Sequence, residues 1–420
     1  MRNFKLFRFV EFLRENPSFF KVWLGYSQST IGSTFTMIAR TVLFYQLTNS
    51  PSAVAIFSIF SMLPSILMSP IAGWLSDFIS RKKILIFSQA VNGFLVLGYI
   101  IAKDPIVFYI LVFLQGILGV FFSTSFYSVI PQTVKNKDDI VTANSLNNFS
   151  ENLVDVLGPS LGAIIVKFWG LIPAFIIDSI TFFINAFLLS ITFISEEEAV
   201  EKKVKINSVI SSFYNDTKEA IKFLVNEGKY VNYILFTEFL LLLAGGTINS
   251  LLVVFTKEAL HSSEVMYGYL LSAGSIGALI GSFILGNLNM KIPSYKLYFT
   301  GLIAIGIFLT MFSFANNILL GLIIFLLNGI ANALLQIGFM SAIMANVLSE
   351  VRGKIFSFYI LASTLGSVIS LLISQKLLTI FNIQTVYRIG SIIILIISII
   401  RFIRLQIFLK SKKEPGISIE

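Results

Sequence analysis

The sequence contains no cysteine, which closes disulfide frameworks, thiolate catalysis and thiolate metal sites. A single histidine, His261 in the stretch "ALHSSEVMYG", leaves no His-rich metal centre and no histidine proton relay. It reads as a surface residue. No Gly-x-x-x-x-Gly-Lys-Ser/Thr phosphate loop is present, so ATP is not a direct fuel. A membrane-embedded transferase would need clustered His, Asp or Lys at a water-facing end, and no such cluster occurs, so the chain does not read as an enzyme. Charge is scarce too. Only 13% of the 420 residues are charged, against roughly 25% in an average soluble domain.

What is there is apolar: 56% of the residues are hydrophobic. Such a chain cannot hide its side chains in one water-soluble core, and runs of roughly 18 or more apolar residues read as membrane spans. The expected fold is an all-α integral membrane protein with twelve transmembrane helices. They fall near 19–47, 53–77, 83–102, 106–133, 141–168, 171–194, 231–256, 265–288, 295–314, 318–347, 353–378 and 384–409. The formal net charge of +9 raises the question of nucleic acid, but the bases sit at span ends. The N-terminal tail, the loop at 78–83, Lys135, Lys137, the segment at 195–230, Lys291, Lys296, Arg352, Lys354 and the C-terminal tail hold most of them. Positive-inside asymmetry therefore predicts both termini in the cytoplasm. No nucleic-acid partner is implied.

The domain plan follows. Residues 1–18, "MRNFKLFRFVEFLRENPS", are an N-terminal cytoplasmic segment, either a short helix in the membrane interface or a tail with no fixed seat. Residues 19–194 form a six-helix bundle, 195–230 a polar cytoplasmic linker, 231–409 a second six-helix bundle and 410–420 a cytoplasmic tail. Apolar residues at helical spacing in the later linker (Val209, Phe213, Ile221, Phe223, Leu224) suggest a surface helix; a plain linker is the alternative. The halves echo each other. "FLQGILGVFFSTSFYSVIPQTV" at 113–134 matches "LLNGIANALLQIGFMSAIMANV" at 326–347 in Gly116/Gly329, Ser128/Ser341 and Ile130/Ile343. Repeated halves point to a transporter with its site between them, exposed alternately to each side.

Between the second and third spans stands "GWLSDFISRKK" at 73–83. With twelve spans split six and six, the pattern Gly73, Leu75, Asp77, Arg81, Lys82, Lys83 resembles the major facilitator superfamily, and the likeness covers nearly the whole chain. "FFKVWLGYSQSTIGSTF", "YQLTNSPSAVA", "TANSLNNFSENLVDVLGPSLGA" and "AFIIDSITFFINAFLL" resemble its bacterial branch of macrolide, multidrug and siderophore exporters. The resemblance implies two pseudo-symmetric bundles, a small-molecule substrate, a monomer in the lipid bilayer of a bacterial cell's inner (plasma) membrane, and no cofactor beyond a proton gradient as driving force. It also implies a conformational latch. Gly73 permits close helix approach, Asp77 can face the positive N-terminal end of span eleven, and Arg81 can hold that carboxylate, with Lys82 beside it in the latch. The competing reading makes Arg81–Lys83 topogenic charges only. In the second half, "GNLNMKIPSYK" keeps Gly286 but has Met290 and Ser294 where the acid and arginine would stand.

Span five carries the second informative pattern. Asn144, Asn148, Glu151 and Asp155 fall at i, i+4, i+7 and i+11, on one helical face. A charge at mid-bilayer costs roughly 2.5–3.5 kcal/mol on insertion scales, so two acids on one stripe need water, a cation or protons. Gly158, Pro159 and Gly162 follow in "LGPSLGA", resembling the antiporter motif of the superfamily's exporters, which packs the halves together. Val154 stands where that motif has an upstream glycine, and Val112 where several proton-coupled exporters carry an arginine in span four.

Arg40, Asp178 and Glu238 are further intramembrane ions. Arg40 and Asp178, at similar depth, read as a structural ion pair; Glu151, Asp155 and Glu238 are the proton-coupling or cavity candidates, with Asn144 and Asn148. The functional expectation is a secondary exporter of a bulky amphipathic compound or drug, run by proton-coupled alternating access. An uptake symporter of the same fold, or an uncoupled lipid mover or sensor derived from it, is the alternative.

Overall fold

The computed structural model describes residues 6–136, 139–194, 206–226, 228–287, 293–347 and 349–411. Among them are sixteen helices and no strand. In chain order they are α1 (Leu6–Glu15), α2 (Pro17–Thr48), α3 (Pro51–Phe78), α4 (Arg81–Ile101), α5 (Pro105–Thr133), α6 (Ile140–Trp169), α7 (Leu171–Ser190), α8 (Ile206–Asn226), α9 (Lys229–Gly245), α10 (Thr247–Ser250), α11 (Leu252–Glu258), α12 (Met266–Asn287), α13 (Ser294–Phe312), α14 (Ile318–Asn346), α15 (Ser349–Leu377) and α16 (Ile383–Ser411). Among the described residues, eleven candidate spans are long and apolar enough to cross a membrane. The helix at the first expected span, α2, is not one of the eleven, because Ser, Thr, Gln and Arg40 dilute its apolar residues. That polar load is what positions the site below. With α2 the helices match the expected twelve-helix plan.

Local rules explain the joints. Asp104 caps α5 by accepting from the Ile106 amide at 2.8 Å, with Pro105 in the first turn. Asn317 caps α14 through the Leu320 amide at 2.9 Å. A single residue, Gly170, joins α6 to α7 with φ of 89°, a conformation that favours glycine. The seventh expected span, 231–256, is not continuous. It breaks into α9, α10 and α11 at Gly245-Gly246, two poor helix formers in succession. Gly246 lies against the backbone of Ser367 in α15, 2.7 Å from where a Cβ would be. The Thr247 hydroxyl pairs with Ser370 and Ser374 at 2.9 and 2.6 Å. The Ile248 carbonyl accepts from the buried Tyr387 hydroxyl. These bonds satisfy polar groups at the break, as apolar surroundings demand.

The chain divides into two compact units, Met1–Thr48 with Phe60–Ser211, and Asn49–Ile59 with Ser212–Glu420. In the first unit α7 packs against α2 and α4, α2 against α6, and α4 against α5. In the second, α14 lies against both α12 and α13, while α9 packs on α15 and α16. The α8 helix is tied to the start of α15 by the Glu219–Lys354 ion pair.

The N-terminal segment is seated. Phe12 meets Phe19 edge-on at 5.2 Å and both are buried with Val22, Phe126 and Val129. The buried Asn16 side chain donates to the Phe12 carbonyl at 3.0 Å and accepts from the Lys135 amide at 2.8 Å. Asn16→Ala is expected to weaken this docking by about 1 kcal/mol, read as roughly fivefold faster trypsin cleavage after Arg14. An unchanged cleavage rate would show that the apolar cluster alone holds α1.

Candidate functional site

The first unit contains a polar cavity of ≈ 290 Å³. Its long wall is one face of α2, where Tyr26, Ser29, Thr30, Ser33, Thr36 and Arg40 recur at helical spacing. Gln89 and Asn92 reach it from α4, Gln115 from α5 and Asp178 from α7. Glycine sets the approach of α7. A Cβ on Gly32 would lie 2.8 Å from Asp178 Oδ1 and 3.1 Å from its Cα, so only glycine lets Asp178 sit there.

Asp178 is fully buried. Its Oδ1 accepts from the Ser33 and Thr181 hydroxyls at 3.4 and 3.3 Å, and the Thr36 hydroxyl also faces this carboxyl. Arg40 lines the same cavity, and its charge acts on Asp178. Its Nη1 donates to Gln115 Oε1 at 3.0 Å, and the Tyr99 hydroxyl donates to the same oxygen at 2.7 Å. Arg40 and Asp178 are therefore brought together around a cavity, within a network that also includes Gln115 and Tyr99. Val112 of α5 and Arg40 of α2 line the same cavity.

At the Tyr26 end the cavity meets the acid stripe. Tyr26 donates to Glu151 Oε1 at 2.7 Å, and Tyr127 donates to the same oxygen at 3.2 Å. Tyr26 is held flat by stacking on Phe126 at 4.1 Å, and Trp23 Nε1 donates to Ser150 at 2.9 Å one residue away. Glu151 is half-buried; Asn144, Asn148 and Asp155 are exposed. Asp155 lies one turn from Glu151, close enough for the two like charges to act on each other. Gly158 and Gly162 are buried on this side of α6, against Thr34 of α2 (2.9 Å from a Cβ on Gly158) and against Phe35 and Ile38 (3.2 Å from one on Gly162). Here, then, the Gly158-Pro159-x-x-Gly162 element seats α6 on α2 within one unit, and buried Pro159 lies between the two glycines.

The remaining expected residues fall elsewhere. Glu238, 6% exposed, lies in the second unit beside the buried Tyr298 hydroxyl and near Tyr359. Next to it Thr237 accepts from Arg401 Nε at 2.9 Å. Arg401 also donates to the Tyr233 carbonyl at 2.6 Å and stacks on the Tyr233 ring at 3.4 Å. Arg401 was not among the intramembrane ions expected from sequence, although it interrupts the apolar run "IISIIRFIRLQIF". Lys82 donates to the Ser190 and Thr192 carbonyls at 2.9 and 2.8 Å, closing the C-terminal end of α7. Arg81 opens α4. The surroundings of Gly73 and the side chains of Asp77 and Arg352 lie outside the described residues, as does Met290. Among the described residues, no group of three His, Asp or Glu side chains could hold a metal.

Comparison with known proteins extends this picture. A family model described as transmembrane secretion effector matches residues 13–414. An uncharacterized MFS-type transporter of Bacillus subtilis, YfiS, is 23% identical over 82% of this chain and 82% of its own. The multidrug resistance protein MdtG of Salmonella arizonae is 27% identical over 84% of each chain. Among solved structures, the nucleoside transporter NupG superposes with a TM-score of 0.72 at 12% identity, covering 92% of this chain and 99% of that one. A bacterial homolog of the human lysosomal transporter Spinster gives 0.70 at 14% identity, over 96% and 99%. At these identities the solved structures share the fold.

Proposed function

The chain belongs to the transmembrane secretion effector family of the major facilitator superfamily, and from that premise we propose that it exports a bulky amphipathic compound driven by inward proton flow. Major facilitator proteins are transporters and not enzymes, so the chemistry required is binding, proton transfer and alternating access. The observation that carries the reading is the acid stripe of α6, with Asp155 exposed and Glu151 held by Tyr26 at the edge of a polar cavity. A carboxyl with two hydroxyl donors and an exposed acid neighbour can exchange protons with water on one side and with the cavity on the other. The relatives named for multidrug resistance favour export of drugs, with macrolides, organic cations and siderophores as the first compounds to screen. The bases at span ends favour both termini in the cytoplasm, a monomer being sufficient for the cycle. Gly73, Asp77, Arg81 and Lys82 form the latch of the closed cytoplasmic side in this reading, and Arg40 with Asp178 sets the charge balance of the first unit.

The test is accumulation of erythromycin, ethidium and a siderophore in drug-hypersensitive bacteria, with and without a proton uncoupler. Cells carrying the wild-type protein are expected to retain several-fold less of at least one compound. Uncoupler and Asp155→Asn should each abolish the difference at equal protein level. Export that survives the uncoupler sinks proton drive. Uptake in place of export reverses the direction.

A further inference from the structure

We propose that the cavity of the first unit is a hydrated proton pathway with Asp178 as its buried proton-binding site; the proposal rests on the proton-driven reading above and specifies its route. Tyr26 and Arg40, the outermost cavity residues on α2, are fourteen positions apart. At 1.5 Å rise per residue this face extends about 21 Å of a hydrocarbon core of roughly 30 Å. Drug-sized ligands fill compact pockets of roughly 300–1,000 Å³. At ≈ 290 Å³ the cavity falls just below that range and is roomy enough for several waters.

Its wall also demands water. Asn92 Oδ1 is buried without a hydrogen-bond partner in the protein and lines the cavity together with Thr36 and Asp178, whose hydroxyl and carboxyl face each other. Buried polar groups are met by water or by a ligand, and a polar, roomy site takes water. A carboxyl group among them is the one member that can bind and release a proton. The charged or titratable groups that act on Asp178 are Arg40 from α2 and Tyr99 from α4. Among the described residues, α5 contributes the Gln115 amide to this network and α6 no recorded charge. With Asp178 ionised, the Arg40–Asp178 set is neutral. With Asp178 protonated, that set carries a net positive charge, so each proton changes the charge where the network joins α2, α4 and α5.

The other end supplies the exit. Tyr26 lines the cavity and donates to Glu151 at 2.7 Å. A proton leaving Asp178 passes through water to the Tyr26 oxygen while the Tyr26 hydroxyl proton moves to Glu151 Oε1, so the phenol is regenerated and the carboxylate becomes a carboxylic acid. Asp155, one turn on, lies exposed beyond it.

The experiment is infrared difference spectroscopy of the full-length protein in lipid while the bulk pH is cycled. A protonated-carboxyl band that grows as pH falls, is lost in Asp178→Asn and survives in Asp155→Asn is the expected result. Should Asp178→Asn fail to fold, Asp178→Glu is expected to shift the band. A second readout uses the cysteine-free chain: silver ion should modify Thr36→Cys and leave the wild type untouched. A carboxyl band indifferent to Asp178, or a Thr36→Cys thiol closed to silver, overturns the proposal. Neither readout depends on the exported compound. A silent Asp178 with uncoupler-sensitive export removes this route alone; a titrating Asp178 with uncoupler-resistant export removes proton-driven export and leaves the site.

Discussion

Gly329→Leu is expected to abolish folded protein, reducing the monodisperse peak in detergent roughly tenfold or more. The cause is the crossing of α14 with α12. A Cβ on Gly329 would fall on the Gly274 carbonyl and 2.8 Å from the Ala278 amide nitrogen. The contact is reciprocal, since a Cβ on Gly277 would fall on the Leu326 carbonyl and 3.1 Å from the Gly329 Cα. One turn further, Gly281 meets Ala333 at 2.8 Å. These obstacles are backbone, which cannot rotate away as a side chain could. On its next face α14 uses Gly338 against Tyr298 of α13, with 2.7 Å to the Tyr298 Cα. Overpacking a core costs about 1–3 kcal/mol where side chains can yield and more where they cannot. In lipid there is no hydrophobic gain to offset it, because close packing itself holds the helices together. Gly119→Ala is the spatial control, as a Cβ there meets nothing within 4 Å. Normal amounts of folded Gly329→Leu would show that α12 and α14 cross farther apart than described.

That glycine was visible in the sequence only as half of an echo, Gly116 with Gly329, and its counterpart does a different job. A Cβ on Gly116 would lie 2.6 Å from Pro64 of α3, a ring in place of a backbone. The spans themselves were legible because each must present about twenty apolar residues, and their ends agree within a few positions. The break after Gly245 was not, since the residues on both sides are equally apolar and composition cannot register a broken hydrogen-bond ladder. Nor was the seat of α1, which depends on Asn16 meeting the Lys135 amide more than a hundred positions away. The same holds for the site. Spacing put Asn144, Asn148, Glu151 and Asp155 on one face, because that property belongs to a single helix. The cavity needs the rotations of α2, α4, α5 and α7 together, so depth along the spans joined Asp178 to Arg40 alone and gave Gln115 and Tyr99 no place in a site. Tyr26, the link between cavity and stripe, is one of fourteen tyrosines and only its partner Glu151 distinguishes it.

Glu151→Gln is expected to lower energised export roughly tenfold or more at an unchanged level of folded protein. The substitution keeps volume and an acceptor oxygen, so Tyr26 and Tyr127 can still donate at the positions they occupy now, 2.7 and 3.2 Å from Oε1. What it removes is the ability to take a proton and give it up. Packing around the group is insensitive to the change, because Tyr26 is fixed by its stacks on Phe126 and Phe122 at 4.1 and 6.1 Å. A structural role for Glu151 would therefore leave export intact in the glutamine variant, whereas a relay role cannot. Tyr26→Phe separates the two further. It keeps both stacks, removes the hydroxyl that joins the cavity to Glu151, and leaves Tyr127 as a donor. Export in Tyr26→Phe should fall less than in Glu151→Gln, by roughly threefold to tenfold, with the Asp178 infrared band still present but slower to follow the bulk pH. Accumulation assays at matched expression, run beside thermal unfolding of each purified variant, read both effects. If Glu151→Gln exports like the wild type while Asp155→Asn does not, protons enter at Asp155 without passing Glu151, and the tyrosine clamp serves only to seat α6 on α2.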